Sequence, residues 1–221
     1  MSIRELRFGR KGAAQGQAKA LVVLVHGYGA DGADLLDIGA MFAPHLPGVA
    51  FLAPDAPERS INNPMGYQWF PVPWLDGSSE ADAQAAMAQS VKDLDVFLDA
   101  RLQEEGLDDS ALALVGFSQG AMMSMHIAPR RGKAVAGVVA ISGRLLVPEL
   151  LQAEARVKPP VLLIHGDQDP VVSFDHMAKA GDALVAAGFD TYGHVMKGMG
   201  HGISQDALGV SLNFLAERLP G

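Results

Sequence analysis

The sequence predicts an α/β architecture, a mostly parallel sheet with helices on both faces, and three observations predict it. Short unbroken apolar runs recur at 21–25, 111–115 and 161–164, the pattern of strands buried on both sides. Segments with helical periodicity lie between them, so strand and helix alternate. A length of 221 residues with 49% apolar and 19% charged residues suits one compact domain, 1–221, and excludes a disordered chain.

Taken in order, residues 3–8 read as an edge strand and 11–19, rich in Gly, Ala and Gln, as a flexible connector. Residues 21–25 form a buried strand that runs into the loop His26-Gly27-Tyr28-Gly29-Ala30-Asp31-Gly32. Residues 49–53 are a strand closed by Pro54-Asp55-Ala56-Pro57. Residues 80–105 read as a helix, capped by Ser79 with Asp82 three residues on, and stopped by Gly106. Val91, Leu94, Leu98 and Leu102 form its core stripe. Strands follow at 111–115, 134–141, 161–164 and 192–197. Helices are expected at 119–128, at 174–187 with Met177, Ala180 and Leu184 inward, and at the end with Leu208, Leu212, Leu215 and Leu219 on one face. Only residues 143–158 join two of the strands where a lid could be inserted, so no lid domain is expected.

Chemistry enters at Gly116-Phe117-Ser118-Gln119-Gly120. An apolar strand precedes it and a helix free of further Gly or Pro follows. In a strand–turn–helix of this kind the serine sits on a sharp turn, and small neighbours keep side chains clear of its hydroxyl. Alone, the pattern also fits an ordinary βα turn. A serine hydroxyl needs a base to take its proton, and the base needs a third group to orient it. On this architecture the order along the chain is Ser, acid, His. The strand at 161–164 ends in His165-Gly166-Asp167-Gln168-Asp169, and the last strand runs into Gly198-Met199-Gly200-His201-Gly202. His201 alone among the seven histidines combines a loop after a strand with a place after the acid. Either Asp167 or Asp169 can be the acid. Asp169 is favoured because it stands further past the strand end, toward the crevice where open α/β sheets bind ligands. Asp167 then serves as a turn residue bonding nearby amides.

Acyl transfer also needs two fixed N–H donors for the developing oxyanion. The amide of Gln119, next to the serine, is one candidate, and the amide of Tyr28 in the glycine-rich loop is the other. His26, at the strand end, reads as structural. Residues 58–78 are long for a connection, and they hold Tyr67, Trp69, Phe70 and Trp74. These rings are expected to bound the substrate pocket; the competing reading is that they only pack the loop on the core.

The four segments HGYGADG, GFSQG, HGDQDPVV and GMGHGIS, in this order, resemble the phospholipase/carboxylesterase family of α/β-hydrolases, which includes acyl-protein thioesterases. The resemblance spans nearly the whole chain, from about Leu21 to the last helix. It implies an α/β-hydrolase fold, with Ser118 as nucleophile, Asp169 as acid, His201 as base, and the Tyr28 and Gln119 amides as oxyanion donors. It implies hydrolysis of carboxylic esters with no cofactor; lysophospholipid and acyl-thioester cleavage stay open, and the modest pocket expected from the aromatic segment suits short to medium acyl groups. Two departures stand out. Ala121 replaces a second glycine often found after GFSQG, and the family's Trp-Phe-Asp reads Trp69-Phe70-Pro71 here.

Two rival chemistries are weighed. Gly27-Tyr28-Gly29-Ala30-Asp31-Gly32 with Asp55 downstream outlines a dinucleotide fingerprint, which would make the chain a Rossmann-type oxidoreductase. His165, Asp167 and His201 could hold a metal, but their spacing matches no common ligand signature. A net charge of −8 argues against nucleic acid and anionic membrane surfaces. Arg130, Arg131 and Lys133 read as a solvated loop. The absence of cysteine excludes disulfides and thiolate chemistry. With no secretory signal pattern in residues 1–20 and no apolar stretch of spanning length, the expected compartment is the cytoplasm. The expected partner is a small ester or thioester substrate, and a homodimer is left open.

Overall fold

The computed structural model describes residues 2–220; Met1 and Gly221, the two ends of the expected domain, lie outside the described residues. Seven strands form one sheet, beginning with β1 (Phe8–Gly12), β2 (Ala20–Val25) and β3 (Val49–Pro54). A two-residue hairpin, β4 (Glu58–Arg59) and β5 (Tyr67–Gln68), stands apart from it. The sheet continues with β6 (Leu112–Phe117), β7 (Gly137–Ile141), β8 (Val161–Gly166) and β9 (Thr191–Met196). Strand order is β1-β3-β2-β6-β7-β8-β9, with β1 antiparallel and the other pairs parallel. The helices are α1 (Gly32–Phe42), α2 (Pro73–Asp76), α3 (Glu80–Glu105), α4 (Gln119–Ile127), α5 (Leu151–Glu154), α6 (Asp175–Ala186) and α7 (Gln205–Ala216).

The period-2 geometry of a strand divides the core in two. Leu21, Val23 and Val25 of β2 face Leu94, Leu98, Met123 and Leu184, on α3, α4 and α6. Ala20, Val22 and Leu24 face Leu35, Phe42, Phe214 and Leu215, on α1 and α7. Every residue of β2, β3 and β8 is buried, which is why those strands are unbroken apolar runs. Between β7 and β8 lie only a 3-10 turn and the single turn of α5, so no lid domain is inserted there.

The first strand differs from expectation. It occupies 8–12 rather than 3–8, pairing Phe8 with Pro54 through Gly12 with Ala50. The pairing is made by backbone, so the polar sequence of 8–12 does not oppose it at a sheet edge. Residues 2–7 instead lie along α3, where Arg4 bonds Asp93 and Glu58 and Leu6 is buried. Arg131 is also not solvated. It is 6% exposed and its guanidinium binds Asp95, Asp99 and Asp109, tying the end of α4 to α3. Helix α3 has the expected bounds, with Ser79 Oγ accepting from the Asp82 amide and Gly106 in the left-handed region at φ 67°. On α7 Ala207, Ser211, Phe214 and Leu215 are buried, Leu219 just past it is buried too, and Leu208 and Leu212 pack half-buried against the same core, so the expected leucine stripe forms part of a wider inward face.

Candidate active site

Ser118 joins β6 to α4 with φ 53° and ψ −116°, a backbone region that residues with side chains rarely adopt. Its surroundings enforce that conformation. Its amide donates to Ile141 O at 2.8 Å, and its carbonyl accepts from the Met122 amide at 3.1 Å. The flanking glycines are steric necessities. A Cβ on Gly116 would overlap the Gly120 carbonyl, and one on Gly120 would overlap the Val25 carbonyl. A Cβ on Gly27 would come within 3.2 Å of Ser118 Cβ, so the glycine-rich loop after β2 lies directly against the serine.

Asp169 lies in the turn after β8. Its Oδ2 is 2.7 Å from His201 Nδ1, and its Oδ1 accepts from the amides of Val171 at 2.8 Å and Val172 at 2.9 Å. A carboxylate only accepts, so a proton sits on Nδ1, and in the neutral form of the ring Nε2 carries the lone pair. Burial works to raise the Asp169 pKa, but the bonds from His201, Val172 and Val171 overcome it and hold the group below the ordinary carboxylate value. The His201 ring packs 4.9 Å from that of Phe117, beside the Ser118 turn. Asp167 faces elsewhere: its Oδ1 accepts from the Gly198 amide at 2.7 Å and so anchors the loop that carries His201. Gly166 is needed there too, since a Cβ would overlap the Met199 carbonyl. His165 is buried and donates from Nε2 to Val172 O at 2.8 Å, bracing the acid's turn.

The glycine-rich loop is held from several directions. His26 is buried; its Nε2 accepts from the Ala56 amide at 2.9 Å and its Nδ1 donates to Gly27 O at 2.7 Å. Burial lowers its pKa, so it stays neutral as a structural group. Gly29, at φ 79°, donates its amide to Tyr67 O at 2.8 Å, and the Tyr67 amide donates to Ala30 O at 2.7 Å. Tyr28 donates its hydroxyl to Asp76 Oδ2 at 3.1 Å. The Gln119 amide is at the first position of α4, where no intrahelical acceptor exists.

The four rings of the aromatic segment separate. Trp69 is 0% exposed; its Nε1 donates to His26 O at 3.0 Å and its carbonyl accepts from Ser90 Oγ. The Gln119 side chain clamps this backbone, accepting from the Trp69 amide at 2.8 Å and donating to Phe70 O at 2.7 Å. Phe70 is buried. Tyr67 turns to another face, accepting from Arg7 Nη2 at 2.9 Å with the Arg59 guanidinium over its ring. Trp74 alone of the four, 67% exposed, lines a groove of about 380 Å³ beside the Ser118 turn. The expectation of four pocket-forming rings is therefore revised to one. The other three fill the interior or fix the backbone of the loop, where their amides and carbonyls have partners. The Gln119 clamp and the Tyr28–Asp76 bond were not legible, because nothing in sequence spacing joins residues about fifty positions apart.

The rival sites come apart in space. Asp55 Oδ1 accepts from the Gly32 amide at 3.0 Å, and Asp31 Oδ1 accepts from the Asp34 amide at 3.1 Å. Two carboxylates thus occupy the helix N-terminus that a pyrophosphate would need. His165 and His201 both approach Asp169 Oδ2, at 3.4 and 2.7 Å, while Asp167 bonds the Gly198 amide instead, and no group of three metal-ligating side chains clusters among the described residues.

This sheet, with a strained serine at the end of one central strand and a histidine–carboxylate pair at the ends of two later strands, defines an α/β-hydrolase class of enzyme. The model of the Phospholipase/Carboxylesterase family matches residues 12–219, and the chain belongs to that family of carboxylic-ester hydrolases. It is 31% identical over 205 residues to esterase YpfH of Escherichia coli, covering 92% of this chain and 84% of that one. It is 29% identical to acyl-protein thioesterase 1 of Neurospora crassa, covering 91% and 87%. The crystal structure of esterase PE8 superimposes with a TM-score of 0.92 at 40% identity, covering 98% of this chain and all of that one. No helix among the described residues is long and apolar enough to cross a membrane.

Proposed function

We propose that the chain works as one serine hydrolase domain that cleaves carboxylic esters of short to medium acyl groups through an acyl-enzyme on Ser118. The observation that carries the reading is the 2.7 Å bond between His201 Nδ1 and Asp169 Oδ2 beside a serine held at φ 53°. His201 Nε2 takes the proton as Ser118 Oγ attacks the acyl carbonyl, and Asp169 stabilises the resulting imidazolium. The amides of Tyr28 and Gln119 hold the oxyanion, and the Gln119 side-chain clamp fixes the turn that aims its own amide. The imidazolium protonates the leaving alkoxide or thiolate. Water then repeats the cycle on the acyl-enzyme. No step draws on a cofactor.

The relatives' names, an esterase and an acyl-protein thioesterase, support oxygen and sulfur esters alike as substrates of this chemistry. The open groove of about 380 Å³ supports a small ester as partner rather than a long acyl chain. The test is active-site labelling. A fluorophosphonate should add once to the protein, at Ser118, with loss of activity against p-nitrophenyl butyrate. Full labelling and hydrolysis in Ser118→Ala would overturn the assignment.

A further inference from the structure

Resting on that hydrolase reading, we propose that Arg144 binds a carboxylate carried by the substrate, so that the preferred substrate is an anionic ester. Arg144 follows β7, next to Gly143, whose added Cβ would sit 3.2 Å from Ser118 O and 2.6 Å from Ala121 Cβ. It lines the groove with Trp74, Met122, Val172 and His176. Met122 bonds Ser118 O through its amide, and the Val172 amide bonds Asp169 Oδ1. One border of the groove is therefore the serine turn and the other is the turn of the acid.

Among the arginines of the described residues, Arg144 shares its lack of hydrogen-bond and ion-pair partners only with Arg156, which is exposed where Arg144 is half-buried. Among the described residues no carboxylate lies within ion-pair distance of it and no hydrogen bond from its guanidinium is formed, in a chain with 25 acidic residues. Arg4, Arg10, Arg101, Arg130, Arg131 and Arg218 all have carboxylate partners. Arg144 is half-buried and its guanidinium carbon is 5.4 Å from the centroid of the Trp74 ring. A ring face orients the guanidinium without using its N–H donors, which stay free for a planar, bidentate acceptor. His176 is held below its ordinary pKa, first by burial and then by Arg144, with Lys179 and His165 acting in the same direction and Asp175 opposing. Arg144 is the one arginine or lysine among the residues lining the groove.

A net charge of −8 repels anions at long range, so a substrate carboxylate needs a local cation of this kind to be accepted. Met122, Val172 and the Trp74 face supply the apolar wall for the carbon chain between that carboxylate and the scissile carbonyl. The carboxylate can belong to the acyl part or to the leaving group, and matched ester pairs separate the two. p-Nitrophenyl hydrogen glutarate is compared with p-nitrophenyl pentanoate, and 4-carboxyphenyl butyrate with phenyl butyrate. For one pair, the ratio of kcat/KM, charged over neutral, should fall by about 10-fold or more in Arg144→Gln, through KM, with partial recovery in Arg144→Lys. The pair that responds identifies the side. If both ratios are the same in wild type and Arg144→Gln while Ser118 still turns over the neutral esters, the anion site is wrong and the hydrolase reading stands. If no ester is cleaved and a fluorophosphonate leaves Ser118 unmodified, the hydrolase reading fails and takes this inference with it.

Discussion

Two parts of the molecule carry chemistry-bearing residue types, and they behave differently. At the ends of β6 and β8 and in the loop after β9, Ser118, Asp169 and His201 are held by backbone hydrogen bonds, by the carboxylate–imidazole bond and by close-packed glycines. Glycines at 116, 120 and 166 stand where any Cβ would strike a carbonyl. In the segment between β3 and α3, four aromatic rings promise a pocket wall, yet Trp69 and Phe70 are interior and Tyr67 faces away. The lesson is one of degeneracy. A strained turn and an oriented imidazole each have very few solutions in residue type, so their motifs are specific. A buried ring and a substrate-facing ring have the same sequence signature, because both need apolar area.

The sharpest way to break this comparison is at the two aspartates. Asp169→Asn should lower kcat by about 10³–10⁴-fold, since the amide can neither fix the His201 tautomer nor stabilise imidazolium. Asp167→Asn keeps an acceptor for Gly198 and should lower kcat by less than about 10-fold, a limit set by hydrogen-bond energetics. Comparable losses would mean that both acids serve the histidine. The next largest contrast lies within the aromatic segment. Trp69→Ala should cost about 3–5 kcal/mol of stability in urea unfolding, as for other large buried rings. Trp74→Ala should stay within about 0.5 kcal/mol of wild type in the same assay. It should instead lower kcat/KM for hexanoate and octanoate esters by up to about 10-fold, for roughly 1–2 kcal/mol of lost apolar contact. A destabilised Trp74→Ala with an unchanged chain-length profile would reverse the assignment of wall and anchor.

A smaller effect separates catalytic from structural histidines. His126, near the end of α4, has its pKa lowered to about 4 by burial and then by Arg130, with Glu154 opposing. Between the ordinary value of 6.5 and about 4 the unfolded chain takes up a proton that the folded chain refuses. Stability contributed by this group is therefore full above pH 6.5, falls as pH drops, and levels off below about 4. The change amounts to about 2 kcal/mol with solvent screening included. Urea melts between pH 7 and 4 should show this slope in wild type and a shallower one in His126→Leu. An equal slope in both would remove His126 as its source.

Much of the fold was legible because parallel strands, buried on both faces, are unbroken apolar runs, and because Ser79 and Gly106 mark the ends of α3. The first strand was not, since an edge strand such as 8–12 is stabilised by backbone pairing to β3 and has no apolar signature. Helix α1 was overlooked although Asp31 and Asp34 form a capping box there. Asp31 stands inside the glycine pattern that suggested a dinucleotide site, and with Asp55 it removes that site. The choice of Asp169 over Asp167 followed from distance past the strand end. The roles of Gln119, Asp76 and Arg144 depend on contacts between distant segments, which no local pattern encodes.

In the proposed reaction the acyl group passes through Ser118. Reaction with p-nitrophenyl butyrate can be quenched in acid during turnover and the protein digested for mass spectrometry. A butyryl adduct is expected on the peptide containing Ser118, and none in Ser118→Ala. A butyryl group on any other side chain, or steady hydrolysis by Ser118→Ala at the wild-type rate, would contradict it.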